Sequence, residues 1–147
     1  MPTAFGAPGW VVTDSTLRAV DAAGFRYASD CRGTSPFLPE GMRTPQLPTT
    51  LPTLEEIVRA GGTMADLWTN LEAEVGKRTY SCYCAHAEVE GMRFPEFLPR
   101  FLDRVQGMVT VGPLGDALAD QAELPVHRVA HTLIPGRFDS VASQVTA

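Results

Sequence analysis

The sequence TYSCYCAHAEVEG at residues 79–91 decides how the rest of the chain is interpreted. Tyr80, Cys82 and Cys84 alternate with small or polar residues, and this alternation predicts a half-buried strand because residues two apart share one face. His86 stands where that strand would leave the sheet, and an acidic turn closed by glycine follows it. In α/β folds, ligands and catalytic groups collect at the C-terminal ends of strands. We therefore expect His86 to mark a functional site.

Helices are predicted around this strand from their caps and their apolar spacing. Thr13 can cap a helix that ends at Gly24, and Thr53 begins a capping box. Thr63 can cap a third helix, and residues 95–106 have the strongest helical period in the chain. A proline inside that last segment indicates that the helix begins near it or bends there.

Strands are predicted between the helices, at residues 25–28, 46–51, 79–86 and 108–111. About five strands alternating with about five helices favour an α/β fold of parallel βαβ units, either an open sheet or part of a barrel. One domain is expected over residues 1–147, with residues 121–147 as a C-terminal tail.

Composition narrows the classes of protein to which the chain can belong. The chain has 147 residues and a net charge of −5, with no basic stripe, so a nucleic-acid partner is not expected. No apolar run approaches the roughly 20 residues that span a bilayer, and the first residues have no secretory signal pattern. Three cysteines do not make a disulfide framework, which favours a reducing, cytoplasmic compartment.

The polar candidates have ordinary structural alternatives. His86 is equally compatible with a catalytic group and with a hydrogen-bonded histidine at a strand end. Glu88 and Glu90 could raise its pKa and suit it to general acid catalysis, or they could be solvated turn residues. For Asp30, beside Arg32, the residues alone favour an Asx-turn or a local ion pair.

The motifs with metal-ligand spacing have simpler interpretations. Cys82 and Cys84 fall on one predicted sheet face and are interpreted as small buried hydrophobic residues. His127 and His131 have the spacing of two ligands on a helical turn, but flanking prolines favour extended structure. Cys31 lies in a glycine-flanked loop without a cationic helix end to activate it. No metal ligand is assigned.

Several stretches in chain order resemble the polysaccharide deacetylase superfamily, that is, the chitooligosaccharide deacetylase homology domain. The branch they resemble most consists of deformylases that act on 4-formamido-arabinose linked to an undecaprenyl phosphate carrier. The resemblance covers nearly the whole chain and is carried by APGW at 7–10, FRYASDCRG at 25–33, TPQLPTTLPTLEE at 44–56, HAEVEG at 86–91, PLGDAL at 113–118 and PGR at 135–137.

The resemblance implies a distorted (β/α) barrel that hydrolyses an amide on a sugar. In such enzymes a divalent metal, usually zinc, polarises the carbonyl and activates water, while an aspartate acts as base and a histidine as acid. By matching motifs, His86 corresponds to the histidine that protonates the leaving amine. Asp30 corresponds to the acidic position of the fourth motif, whose carboxylate tunes its neighbours.

The resemblance also implies a substrate groove. Pro8, Gly9 and Trp10 match the third motif, which forms a wall of that groove, and Arg32 and Glu88 are expected to contact the substrate. The implied substrate is a sugar or an undecaprenyl-linked sugar. A lipid-linked substrate would bring a cytoplasmic protein to the inner face of the membrane.

The chain departs from the family pattern at its N-terminal side. The first motif, with the base and a ligand aspartate, and the second motif, a histidine pair four residues apart, should precede APGW, where only MPTAFG stands. The third motif often has an arginine where this chain has Gly6. The chain therefore resembles the C-terminal half of such an enzyme. Zinc or another divalent metal belongs to the complete enzyme, and none is expected on this chain alone.

The leading hypothesis is a hydrolase that removes a formyl or acetyl group from an amide on a sugar or lipid-linked sugar. The alternatives are a non-catalytic carbohydrate-binding or assembly module and a truncated reading frame. A half-barrel would expose an unpaired sheet edge. The chain is therefore expected to be marginally stable alone, to self-associate, or to pair with a separately encoded N-terminal half.

Overall fold

A computed structural model describes residues 2–119 and 123–145, without the side chains of Met64, Leu67 and Asn70. The α-helices are α1 (Asp14–Ala23), α2 (Leu54–Arg59), α3 (Met64–Lys77) and α4 (Phe97–Val105). The strands are β1 (Ala4–Phe5), β2 (Tyr27–Ala28), β3 (Leu38–Pro39), β4 (Val126–Thr132) and β5 (Val141–Val145). Short 3-10 turns occur at Pro8–Trp10 and Leu114–Leu118, and a π-helical turn at Val89–Arg93.

The N-terminal part contains a parallel βαβ unit, as the sequence predicts. β1 and β2 pair in parallel and are connected by α1. The chain beyond β2 continues beside the next extended segment, because Ala28 forms a parallel bridge with Gln46 and Arg32 forms one with Thr49. Successive segments therefore lie side by side in chain order, which confirms the α/β class. The described strands do not close into a barrel.

The C-terminal part adds an antiparallel hairpin. β4 and β5 pair antiparallel, and β3 joins them in parallel with β4. The sequence assigns these residues to a tail and predicts no strand there. The hairpin is attached to the first sheet at Arg32, whose backbone N–H donates to Ala142 O at 2.8 Å and whose carbonyl accepts from Gln144 N at 2.7 Å.

The strand predicted at residues 79–86 is wrong, because the structure gives these residues no regular strand. Cys82 O accepts from the N–H groups of Thr50 and Leu51, both at 3.1 Å, but Cys82 N donates to the hydroxyl of Thr50 at 3.0 Å. The Thr50 hydroxyl thus accepts the Cys82 N–H, which a regular strand would donate to a backbone carbonyl of its neighbour. The neighbouring Pro48 has no N–H to offer, which also disfavours regular pairing.

Residues 108–111, also predicted as a strand, are not assigned to one either. They follow a turn at Gly107, and the pairing there is a single bridge between Gln106 and Val109.

The predicted helices are confirmed, and each begins at its predicted cap or close to it. Thr13 Oγ1 accepts from the N–H of Thr16, and Gly24 ends α1 with φ +71°. Complete capping boxes open α2 at Thr53 and α3 at Thr63. The proline inside the fourth segment lies in the first turn of α4, where the helix tolerates it because no intrahelical donor is lost.

The apolar faces of α2, α3 and α4 pack into one core, and a second core lies beneath α1 and the hairpin. The first consists of Leu51, Leu54, Leu71, Val75, Phe97, Phe101 and Val105, and the second of Val12, Leu17, Cys31, Phe37 and Ala142. Among the described helices, none combines the length and apolarity that crossing a bilayer requires.

Candidate functional site

The first turn of α2 positions two adjacent glutamates in two different clusters. The capping box fixes this turn, with Thr53 N donating to Glu56 Oε2 at 3.0 Å and Glu56 N donating to Thr53 Oγ1 at 3.3 Å. Glu55 lies beside the imidazole of His86, and Glu56 lies between two arginines. One local sequence signal, the capping box, therefore organises both clusters.

His86 lies next to a carboxylate that the sequence does not identify as its partner. Its Nδ1 is 3.3 Å from Glu55 Oε2, and its side chain is 36% exposed. Neither of these two atoms has a hydrogen-bond partner among the described residues, so the contact places a carboxylate beside the partly exposed ring without a hydrogen bond. The geometry suits a histidine that transfers protons at a solvent-accessible site.

The predicted acidic neighbours of His86 have other positions. Glu90 is buried, and its carboxylate accepts from the backbone N–H of His86 at 2.7 Å and from the hydroxyl of Tyr83. It therefore holds the backbone at His86 and does not bind the ring. Glu88 is exposed at the start of the π-helical turn. Burial and the hydrogen bond to Glu90 raise the pKa of Tyr83, so this phenol stays a neutral donor.

The second cluster, which we call the arginine–tryptophan cluster, consists of Trp10, Arg32, Glu56 and Arg137. Arg32 Nη2 is 3.4 Å from Glu56 Oε2, and Arg137 Nε is 3.6 Å from Glu56 Oε1. Both guanidinium carbons lie over the Trp10 ring, at 4.8 Å and 4.9 Å from its centroid. Burial lowers the pKa of Arg32, and the charge of Glu56 opposes that shift.

The backbone before this cluster is held in an uncommon conformation. Gly9 and Trp10 have φ values of +65° and +58°. For a non-glycine residue this conformation costs about 1–3 kcal/mol, which the surrounding contacts must offset. The indole Nε1 of Trp10 donates to Thr49 Oγ1 at 3.2 Å. Trp10 is only 4% exposed, so Pro8 and Gly9, which are exposed, are the residues of the predicted groove wall that face solvent.

Asp30 is fully buried and bonded on both carboxylate oxygens. Ala7 N donates to Oδ1 at 2.9 Å and Gln46 Nε2 donates to Oδ2 at 3.1 Å. Burial raises the pKa of Asp30, and these two hydrogen bonds partly oppose the rise. Arg32 pairs with Glu56, so of the two structural alternatives, an Asx-turn or a local ion pair, the ion pair between Asp30 and Arg32 is wrong. The described contacts of Asp30 and of His86 involve different residues.

The cysteines are thiols in this structure. Cys31 is fully buried, and burial raises the pKa of Cys31, Cys82 and Cys84. A raised pKa favours the neutral thiol, whereas metal binding and nucleophilic attack need the thiolate.

The histidine pair at the C-terminal side lies on β4. Four residues along a strand cover about 13 Å, so His127 and His131 cannot share one ion as they could on a helical turn. His131 Nε2 is 2.6 Å from Val12 O, and the His127 ring packs edge-on against Phe37.

The divalent metal implied by the resemblance does not fit the residues described. Within residues 2–119 and 123–145, no three side chains of histidine, cysteine, aspartate or glutamate lie together as a metal site would require. Glu55 and His86 form a pair without a third donor. The described part of the chain therefore offers proton-transferring and charged groups but no cluster of three such ligands.

No family model matches the chain. It is similar to a protein of Wigglesworthia glossinidia brevipalpis named "Probable 4-deoxy-4-formamido-L-arabinose-phosphoundecaprenol deformylase ArnD", with 31% identity over 150 aligned positions, which cover 97% of this chain and 52% of the relative. A protein of the same name from Shewanella sediminis is 46% identical over 88 positions, which cover 57% of this chain and 28% of the relative.

Both relatives bear the name of a deformylase. The resemblance seen in the motifs is thus matched by curated proteins bearing a deformylase name. The chain is similar along nearly all of its own length to these named deformylases, and it spans about half the length of the Wigglesworthia relative.

Proposed function

We propose that this chain forms the C-terminal part of a hydrolase that removes a formyl or acetyl group from an amide on a sugar, with a lipid-linked sugar as its substrate. The observation that carries the proposal is the partly exposed His86, with Glu55 beside its ring, in a chain similar to named deformylases. The polysaccharide deacetylase superfamily and its distorted (β/α) barrel are part of the same proposal.

His86 acts on the leaving group in this reaction. Hydrolysis of a formamide adds water, breaks the C–N bond, and releases formate and a sugar amine. The departing nitrogen must gain a proton as the bond breaks, and a positioned histidine is suited to donate it. Glu55 lies beside Nδ1 of this histidine, and Glu90 fixes the backbone at His86.

Other residues of the chain support substrate binding. Pro8 and Gly9 are exposed beside the arginine–tryptophan cluster and line the substrate groove, and Arg32 contacts the substrate from within that cluster. Asp30 holds the segment before Pro8 through Ala7 and acts on the reaction only through this positioning. In the proposed enzyme the metal and the catalytic base come from motifs N-terminal to APGW, and no step is assigned to them.

The test is a complementation assay. The N-terminal half of the Wigglesworthia relative is supplied as a separate polypeptide or as a fusion, and release of formate from a formamido-sugar linked to a polyprenyl phosphate is measured. We expect hydrolysis with the native chain and a loss of about 100-fold or more in kcat with His86→Ala, the usual contribution of a general acid. Glu55→Gln should lower kcat less than His86→Ala, since it removes only the charge beside the ring and leaves the imidazole in place.

The matched control is His131→Ala, because His131 is also an exposed histidine but lies on β4 and bonds to Val12 O. Its kcat should stay within about twofold. Hydrolysis undiminished by His86→Ala would refute the role of His86. Saturable sugar binding without turnover in the complemented protein would favour the non-catalytic alternative.

A further inference from the structure

We propose that the arginine–tryptophan cluster is a binding site for a phosphate group, formed by Arg32 and Arg137 together. The identification of its natural ligand as the phosphodiester of a lipid-linked sugar depends on the proposed function. The existence of the anion site does not, because it follows from charge and contacts within this chain.

The first argument is charge. Among the described residues, Glu56 is the one carboxylate within 4.0 Å of either guanidinium, so two cations share a single anion. The side chains of Arg32 and Glu56 are only 11% and 3% exposed, so water screens this excess positive charge poorly. A buried charge without a partner is costly, and a bound anion would remove that cost.

The second argument is hydrogen bonding. Arg32 Nη1, a donor, and Glu56 Oε1, an acceptor, are both buried and have no hydrogen-bond partner among the described residues. A guanidinium presents its donors as a planar fork that matches phosphate oxygens, and such charge-assisted bonds are stronger than neutral ones. Burial with an empty donor is unusual in a native protein and indicates a missing acceptor.

The third argument is access. The side chain of Arg137 is 22% exposed, and its Nη2 donates to Gly9 O at 3.0 Å, next to the exposed Pro8. Arg137 therefore forms the solvent-facing side of the cluster, and an anion arriving from solvent would meet this guanidinium first. The sequence places Arg137 in the PGR stretch but assigns it no role, because its partners lie far away in the chain, 128 residues away in the case of Gly9.

The experiment titrates the full 147-residue chain with inorganic phosphate and, separately, with diethyl phosphate, a soluble phosphodiester. A Trp68→Phe background leaves Trp10 as the single tryptophan, so its emission reports on the two guanidiniums above its ring. Chloride at matched ionic strength corrects for screening. We expect a saturable change in emission.

Substitutions then separate an anion site from an internal ion cluster. Arg137→Ala should weaken binding about tenfold or more, and Arg137→Lys should recover part of it, since a lysine keeps the charge but not the fork. Glu56→Gln should tighten binding about tenfold, because it removes the competing carboxylate while glutamine still completes the capping box. Arg128→Ala removes an exposed arginine from β4 and should leave binding unchanged.

The outcomes are distinct. Binding of diethyl phosphate assigns the site to a phosphodiester substrate, and binding of inorganic phosphate alone assigns it to free phosphate. Absence of saturable binding to either, or a Glu56→Gln variant that binds no more tightly than the native chain, overturns the proposal and leaves a structural ion cluster. Because no hydrolysis is measured here, the result is independent of the His86 assay.

Discussion

Gly136, in the loop between β4 and β5, packs directly against the backbone of α2. Gly136 has φ +79°, and a Cβ built on it would lie 2.0 Å from the carbonyl oxygen of Glu56. The loop can approach the helix backbone so closely only because nothing projects from this position. This contact brings the next residue, Arg137, to Glu56.

We therefore expect Gly136→Ala to destabilise the fold by about 2–4 kcal/mol, combining the clash with the cost of a positive φ. The matched control is Gly41→Ala, because Gly41 has φ +72° with no atom within 4 Å of the added Cβ. That variant should lose only about 1 kcal/mol. Urea denaturation of both measures the difference, and equal losses would show that the contact with Glu56 contributes nothing.

Asp30 and Asp21 should make the free energy of unfolding change with pH in opposite directions. Burial raises the pKa of Asp30, whereas the backbone N–H groups of Arg43 and Thr44 lower the pKa of Asp21. A raised carboxyl pKa contributes stability that is present below the unfolded pKa, about 4, and is lost as pH rises through the folded value. A lowered pKa contributes stability that is present above about pH 4 and is lost as pH falls through the folded value.

The native chain should therefore lose stability relative to Asp30→Asn as pH rises above about 4, and gain stability relative to Asp21→Asn as pH rises through about 4. Urea denaturation between pH 3 and pH 7 measures both differences. Parallel slopes for the two variants would contradict the opposite shifts.

The sequence identifies some residues of the site better than others, for a physical reason. His86, Asp30 and Arg32 carry functional groups inside local motifs, so they can be found from the sequence. Glu55 and Arg137 acquire their roles only through contacts with distant segments. Local spacing carries no information about such contacts.

At the scale of elements, helix caps have effects beyond their own helix. Thr53 is buried and holds the turn that carries Glu55 and Glu56, whereas Thr63 caps α3 at an exposed position. Thr53→Ala should cost about 1–2 kcal/mol and also disturb the Trp10 emission through Glu56. Thr63→Ala should cost about 1 kcal/mol or less and leave that emission unchanged.

Denaturation and Trp10 emission, again in the Trp68→Phe background, measure both effects. Thr53→Ser keeps the hydroxyl and should restore the native values. An emission equally unaffected by both alanine variants would show that α2 does not hold the cluster.

Helices were more predictable than strands because their signals are local. The caps at Thr13, Thr53 and Thr63 and the apolar period of α4 are set by residues within a few positions. A strand forms only where a second segment of the chain provides backbone hydrogen-bond partners for it. The alternating segment at residues 79–86 lies beside Thr50 and Leu51, yet a side-chain hydroxyl takes its backbone donor, while β4 and β5 form because they pair with each other.

At the scale of the whole molecule, the chain exposes features that favour association. The described pairing of β1 is with β2 alone, and an unpaired edge can accept another strand. Val11, Leu133 and Phe138 are 66%, 73% and 85% exposed. A free sheet edge and large exposed apolar side chains are features through which proteins associate.

We expect concentration-dependent self-association of the chain in sedimentation velocity, and its replacement by a 1:1 complex when the N-terminal half of the Wigglesworthia relative is added. The unrelated control is a protein of similar size and charge, which should not change the association. A monodisperse monomer that melts cooperatively and does not bind the added N-terminal half would contradict this expectation.

The first turn of α2 has a dynamic consequence. Helix termini open more readily than helix centres, and opening of this turn would withdraw Glu55 from His86 and Glu56 from the two arginines in the same event. The exchange of the Glu56 amide with deuterium would then report the one local opening equilibrium that both clusters share. A ligand bound at either cluster would slow that exchange, and the two ends of the site would be coupled without any change in the average structure.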